Sequence, residues 1–282
     1  MKVVMFGGNG LLGSDIIKVC DGEHEVISLG SADVDITDPE SVYNLIKAHK
    51  PEAVINSAAM TDVDKCELNP DMAYRINAMG PKNIAIACRD FNARMIHIST
   101  DYVFDGKKDS PYDEFEQVNP VNVYGKSKVA GEQFVQMCTE RFMIIRTAWI
   151  FGTRRKHFVD YVIDAINKGE EVIAVKDMVS SPTYSLDLAE LIKKILPLNQ
   201  AGIFHGVNKG YCSRVQMVEE IMKIMKKQTR VQVLSQSQWK KPAARPVFSA
   251  LKNYHLQLLD KDSMSGWRDA LKRYIRFKYV AK

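Results

Sequence analysis

Three tyrosine–lysine pairs at i, i+4 spacing occur in this chain of 282 residues: Tyr43/Lys47, Tyr124/Lys128 and Tyr274/Lys278. On a helix the two side chains of such a pair share a face. An ammonium beside a phenol favours the phenolate, which lowers the tyrosine pKa toward the range of a working proton donor. A spacing that recurs three times selects nothing by itself; the surroundings must. Tyr43/Lys47 falls in a helix-patterned stretch, and Tyr274/Lys278 in a basic C-terminal tail. Only Tyr124, inside VNVYGKSKVAGE (Val121–Glu132), has a hydroxyl residue (Thr100) closing an apolar run upstream and a glycine turn at the chain start.

The elements that would hold these residues can be read in order. Lys2–Phe6 is an apolar, β-branched-rich run, and Gly7, Gly10 and Gly13 follow it at G-x-x-G-x-x-G spacing before a helical pattern. Strand, glycine turn and helix in that order suit a dinucleotide, because glycine lets the backbone approach a pyrophosphate and the helix start offers free N–H groups. Glu25–Leu29 predicts a second strand. In dinucleotide folds an acidic residue at its end selects NAD and a nearby Arg accepts NADP; Leu29-Gly30-Ser31 carries neither charge, so NADH and NADPH both stay open. Thr37 and Glu40 bracket Pro39 in a capping-box arrangement, with Asp38 in the same helix start. A third strand, Ala53–Asn56, runs into Ser57-Ala58-Ala59-Met60-Thr61, where small residues suit either a close ligand or tight packing in a parallel sheet. A helix over about Asp71 to Arg89, a strand Arg94–Ser99, a polar loop Lys107–Asn119, the Tyr124 helix and a strand Phe142–Thr147 complete the alternation. It predicts an α/β fold with a Rossmann-type doubly wound parallel sheet, ligands lying outside the carboxyl ends of the strands.

From His157 the pattern is mixed. Helices are expected to about Lys168 and over Leu186–Ile195, Val215–Met225 and Ser265–Tyr274, with strands at Glu171–Val175 and Ile203–Val207. This predicts a smaller α+β C-terminal substrate-binding lobe. The expected division is residues 1–152, with part of 183–207 returning to them, against 153–282. Met217, Met222 and Met225, with Trp239 and Trp267, are expected to pack in the core. Hydrophobic content of 46%, charged content of 26% and a net charge of +5 are those of an ordinary globular chain without a dense basic stripe, which argues against nucleic acid. Five scattered cysteines without a C-x-x-C pair predict reduced thiols and a cytoplasmic setting. The N-terminal apolar run is broken by Gly and Asn, so neither a signal peptide nor a membrane span is expected.

Taken together, these motifs resemble the extended short-chain dehydrogenase/reductases, and among them the dTDP-4-dehydrorhamnose reductase family. The match spans nearly the whole chain: the glycine turn, Asp35-Ile36-Thr37-Asp38, Asn56 to Glu67, Ser99-Thr100-Asp101-Tyr102-Val103-Phe104-Asp105-Gly106, Tyr124-Gly-Lys-Ser-Lys128, Arg146-Thr-Ala-Trp149-Ile-Phe-Gly152, Ser181-Pro182-Thr183 and Ala244-Arg245-Pro246. The resemblance implies reduction, with NADPH or NADH, of the C4 ketone of a nucleotide-linked 6-deoxy-4-ketohexose. It implies Thr100, Tyr124 and Lys128 as the catalytic set. It places Gly7, Asn9, Gly10, Leu11 and Leu12 at the cofactor pyrophosphate and Asp35 and Ile36 at the adenosine. Ala58, Ala59, Met60 and Thr61 would run along the cofactor with Tyr124 and Lys128, and Thr100, Asp101, Tyr102, Trp149 and Arg245 would contact the substrate. No metal is expected, since Asp15, at a position where some relatives hold one, is a single carboxylate. The chain departs from the family pattern at Thr153-Arg154-Arg155-Lys156-His157-Phe158 and at Asp177-Met178-Val179-Ser180. The extra basic residues fit a diphosphate grip or a solvated loop equally. A monomer or homodimer is expected. Two rival functions stand beside this reading: a reductase of a different 4-keto-sugar nucleotide, and a non-catalytic dinucleotide-binding regulatory subunit, as in the related subunit of methionine adenosyltransferase.

Overall fold

The computed structural model describes residues 1–280. Strands β1 (Lys2–Phe6), β2 (Glu25–Leu29), β3 (Ala53–Asn56), β4 (Arg94–Thr100) and β5 (Phe142–Thr147) alternate with helices α1 (Leu11–Cys20), α2 (Pro39–His49), α3 (Gly80–Asp90) and α4 (Val123–Cys138). After them come α5 (Phe158–Lys168), β6 (Val172–Val175), α6 (Ser185–Ile195), β7 (Gly202–His205), α7 (Arg214–Met225), β8 (Val231–Leu234) and α8 (Trp267–Ile275). The main sheet has the order β7-β5-β4-β3-β1-β2 with every pair parallel. Sheets of this kind are covered on both faces, so β1 is a continuous apolar run whose alternate residues serve opposite cores. Val3 and Met5 pack with Ile16, Leu188 and Ile192. Val4 and Phe6 pack with Val42, Ile46 and Ile84 on the other side.

The chain passes from β1 to β2 on one side and then crosses to β3 on the other, which opens a crevice between β1 and β3 at their carboxyl ends. Register brings the ends of β1, β2 and β3 level, Phe6 pairing with Leu29 and Asn56, while β4 and β5 run three residues further and end together at Thr100 and Thr147. Gly7, Ser57, Asp101 and Ala148 therefore leave the sheet along one edge. A second core gathers Val159, Ile163, Tyr184, Met217, Ile221, Met222, Trp267 and Leu271. Its small sheet pairs β6 with β8 in parallel.

Several elements differ from the sequence expectation. The helix over 71–89 is broken into Pro70–Tyr74, a π turn at Arg75–Met79, and α3. Pro81 lacks the N–H that would continue the helical ladder, and the π turn aims the Asn77 amide at the Met60 backbone, with bonds of 2.8 and 3.0 Å. Asp38, not Thr37, caps α2: its carboxylate accepts from the Glu40 N–H and the Ser41 hydroxyl. The Thr37 N–H is turned instead to Asp35. Strand β8 went unread because four residues between polar stretches carry little period; pairing with β6 makes it a strand. Tyr274, placed in a basic C-terminal tail and at the end of an expected helix, is buried on α8. Trp267 is buried as expected, whereas Trp239 is only half-buried, beneath the Arg245 guanidinium.

Below the crevice, Glu132 on α4 holds Arg146 on β5 through bonds of 3.0 and 2.7 Å and also accepts from the Ser99 hydroxyl, with both ionic side chains buried. Removing one partner of such a pair leaves a buried uncompensated charge. Glu132→Gln is therefore expected to lower the unfolding free energy by about 3–5 kcal/mol, measured by chemical denaturation. A loss within 1 kcal/mol of zero would show the pair to be energetically idle.

Candidate functional site

A cleft of about 790 Å³ runs along the carboxyl edge of the sheet, from the loop after β2 past the glycine turn to the start of α4. Its floor at the glycine turn has room only for backbone. Gly7 has φ of +81°, and a Cβ there would lie 2.6 Å from the Ala58 nitrogen; a Cβ on Gly13 would lie 2.3 Å from the Gly7 carbonyl. Helix α1 opens with no side-chain cap at Gly10. The N–H groups of its first turn have no intrahelical acceptor, which suits an anion.

Gly7, Asn9, Gly10, Leu11 and Leu12 line this part of the cleft, and Asp35 and Ile36 line its far end beside Gly30, Ser31 and Val34. Asp33, which the sequence reading passed over, accepts from the Gly30 N–H at 2.7 Å and so fixes the turn that presents Ser31. Ala58, Ala59 and Thr61 line the wall opposite α1, while Met60 stands outside the lining, its backbone held by Asn77. The narrow glycine floor, the open helix start and the length of the cleft fit a dinucleotide with its pyrophosphate at Gly10–Leu12 and its adenosine near Ser31–Ile36.

At the other end stand Thr100, Tyr124 and Lys128, brought together from the end of β4 and the first turns of α4. Asn122 caps α4 through the Gly125 N–H at 2.8 Å. Gly125 is needed because a Cβ there would lie 2.1 Å from the Tyr102 carbonyl. The Thr100 hydroxyl donates to Asp101 at 3.1 Å and accepts from the Tyr102 N–H at 3.2 Å. Asp101 also accepts from the Ser180 hydroxyl at 2.9 Å and the Ser249 hydroxyl at 2.5 Å. Burial pushes its carboxyl up to about 6, against the pull of those hydroxyls. Its oxygens thus bind Thr100 and two serines distant in sequence, and Asp101 itself lines the cleft.

Burial pushes the Tyr124 phenol above its ordinary value, while the Thr100 hydroxyl acts in the opposite direction. Lys128 is buried too, and desolvation lowers its ammonium to about 8. Its Nζ donates to the Ile98 carbonyl at 2.6 Å and lies 3.4 Å from His97 Nε2. His97 Nδ1 is in turn 3.2 Å from the Asn56 amide nitrogen, whose oxygen takes the Ala58 N–H. The expected lowering of the tyrosine pKa by its lysine neighbour is therefore absent: the ammonium faces β4, and desolvation dominates the phenol. The direct phenol–ammonium contact occurs at the pair set aside as a tail, where Lys278 Nζ is 3.0 Å from the Tyr274 hydroxyl and both bind Asp160.

Trp149 lines the cleft with φ of +39°, a left-handed conformation that costs a bulky residue about 1–3 kcal/mol. The Arg214 guanidinium, 3.5 Å over its ring, helps hold it there. Tyr102 and Arg245 stand outside the lining. Tyr102 packs edge-on against Tyr124 with ring centroids 5.8 Å apart. Arg245 is held by Asp64 at 2.7 Å and by the Ala243 carbonyl at 2.7 Å. Arg155 and Lys156, which the sequence left between two readings, do line the cleft. Asp15 accepts from the Ser185 hydroxyl.

Comparison with known proteins gives one family and close relatives. The family described as RmlD substrate binding domain matches residues 1–279. The chain is 34% identical over 276 residues to the spore coat polysaccharide biosynthesis protein SpsK of Bacillus subtilis, covering 98% of this chain and 97% of that one. The crystal structure of a dTDP-4-dehydrorhamnose reductase from Clostridium acetobutylicum is 40% identical with a TM-score of 0.95, covering 98% of this chain and 99% of the other. The dTDP-4-dehydrorhamnose reductase of Bacillus anthracis, solved in complex with NADP, is 34% identical with a TM-score of 0.95, again covering 98% and 99%.

The Asp101 carboxyl titrates higher in the folded chain than the ordinary 3.8, so folding favours its protonated form. That contribution is complete below pH about 4 and is lost as pH rises through about 6. Relative to an Asp101→Asn variant, the native chain is expected to lose stability across this window, measured as the difference in unfolding free energy at each pH. A difference that stays flat would contradict the assigned burial.

Proposed function

The chain belongs to the RmlD substrate binding domain family, and we propose that it reduces the C4 ketone of a nucleotide-linked 6-deoxy-4-ketohexose. The substrate proposed is dTDP-4-dehydro-L-rhamnose, the product dTDP-L-rhamnose, and the reductant NADPH or NADH. The carrying observation is that Thr100, Tyr124 and Lys128 close one end of a single cleft whose other end is a dinucleotide floor.

The bound dinucleotide supplies the hydride. The chain's own part is to orient, stabilise and deliver a proton. In this reading the Gly10–Leu12 backbone receives the pyrophosphate, Ala58 to Thr61 border the cofactor, and Trp149 closes the sugar side. The Tyr124 phenol faces the ketone oxygen, where charge develops, and the Thr100 hydroxyl stabilises that oxygen by swinging its one proton from Asp101 to it when substrate binds. Burial keeps Tyr124 protonated at neutral pH, so the donor is loaded before the reaction. The phenolate it leaves lies one helical turn from Lys128, a buried cation on the same helix. Asp101 positions Thr100 by taking its hydroxyl proton as a hydrogen bond. Tyr102 and Arg245 act from behind the lining, through Tyr124 and through Asp64. We assign residues 1–152, with part of 183–207, to cofactor binding and 153–282 mainly to the substrate, in a monomer or homodimer. Among the described residues no helix is long and apolar enough to cross a membrane.

Oxidation of NADPH or NADH against a panel of nucleotide-linked 4-ketosugars tests the reading. Tight dinucleotide binding without oxidation of any of them would favour the regulatory alternative. Tyr124→Phe is expected to cut kcat by about 10²–10⁴-fold while leaving the dinucleotide Kd nearly unchanged; normal turnover would remove Tyr124 as the acid. With neutral Ser31 at the ribose end, kcat/KM for NADH and NADPH should agree within about tenfold. A preference near a thousandfold would require a charge-reading residue.

A further inference from the structure

The glycine turn and the first turn of α1, Gly7 to Ser14, contain no charged side chain, yet a dinucleotide brings two negative charges there. Three cations line the cleft: Lys128, Arg155 and Lys156. Lys128 is buried at the opposite end with its ammonium on the Ile98 carbonyl. Lys156 is tied outward to Asp164 at 2.8 Å. Arg155 makes no ion pair among the described residues and reaches the cleft from the loop 153–156.

That loop is fixed at both ends. Gly152 sits against the phosphate turn, since a Cβ on it would lie 3.1 Å from Leu11 Cδ1 and 2.0 Å from Ser185 Oγ. At the other end His157 Nε2 lies 2.9 Å from the Gly152 nitrogen and 2.8 Å from its carbonyl oxygen, closing the loop on itself. The His157 ring is docked against the Tyr274 hydroxyl at 3.2 Å and lies 3.5 Å from Asp160. These ties fix the ends of the loop, from which the exposed Arg155 side chain is offered to the cleft.

We propose that Arg155 is a positioning residue that clamps the cofactor pyrophosphate from the open side of the cleft, opposite the α1 backbone. This rests on the dinucleotide reading above. It resolves the two expectations for the basic loop in favour of a diphosphate grip, directed at the cofactor and not at the sugar nucleotide. A planar guanidinium suits two phosphoryl oxygens. Arg154, in the same loop but outside the lining, plays no part in the clamp.

The test is the Kd of NADPH and of NADH by calorimetry for the native chain, Arg155→Gln and Arg154→Gln. The expected result is that Arg155→Gln weakens both dinucleotides by the same factor, about 5–20-fold for a partly exposed charged hydrogen bond. Arg154→Gln, an equal loss of charge, is expected to change neither by more than about twofold. An effect confined to NADPH would move Arg155 to the ribose phosphate and overturn the proposal. So would an unchanged Kd with a raised KM for the sugar nucleotide, an equal loss in Arg154→Gln, or no change at all. A native chain that binds neither dinucleotide would overturn the cofactor reading itself, a failure distinct from the others.

Discussion

The site depends on one buried carboxylate. Asp101 follows the last residue of β4 and accepts from Thr100 beside it and from Ser180 and Ser249, distant in sequence. Three hydroxyl donors satisfy a charge that burial would otherwise make prohibitive. The same bonds set the rotamer of Thr100 and tie the sheet edge to the segments that close over it. An apolar residue at this position would keep the strand and lose the connection.

A second constraint is desolvation. The carboxyl edge of a parallel sheet is buried wherever helices cover it, so polar groups placed there need their own partners, which most have and Arg146 Nη1 and Thr147 Oγ1 lack. Lys128 has the Ile98 carbonyl and the His97 ring, and Arg146 has Glu132. These contacts fix the side chains at this end of the cleft, which is the condition for electrostatic preorganisation. They also explain why Lys128 faces the strand and not the phenol: a buried ammonium turns to the acceptor that is fixed in place.

The second core shows the same economy. His157, Asp160, Tyr274 and Lys278 form a compact polar cluster beneath the loop 153–156. Its role follows from its position: it anchors the end of a loop that borders the cleft. A phenol and an ammonium in direct contact are thus structural here, while the pair proposed for chemistry does not touch.

By itself the sequence determined the alternation of elements, because two-sided burial of parallel strands writes continuous apolar runs such as Lys2–Phe6 and Ala53–Asn56. It also marked the glycine turn, since a positive φ at Gly7 and the approach of Gly13 to the Gly7 carbonyl tolerate no side chain. Thr100, Tyr124 and Lys128 were legible from their offsets to readable elements, whereas Trp149 was marked by the family resemblance. Met60, Tyr102 and Arg245 lie near lining residues, yet only tertiary packing decided that they stand outside the lining. The direction of Lys128, the sharing of Asp101 and the reach of Arg155 were likewise invisible, since each depends on partners tens of residues distant. Local pattern fixes which residues occupy an edge; the partners that burial brings together fix where their side chains point.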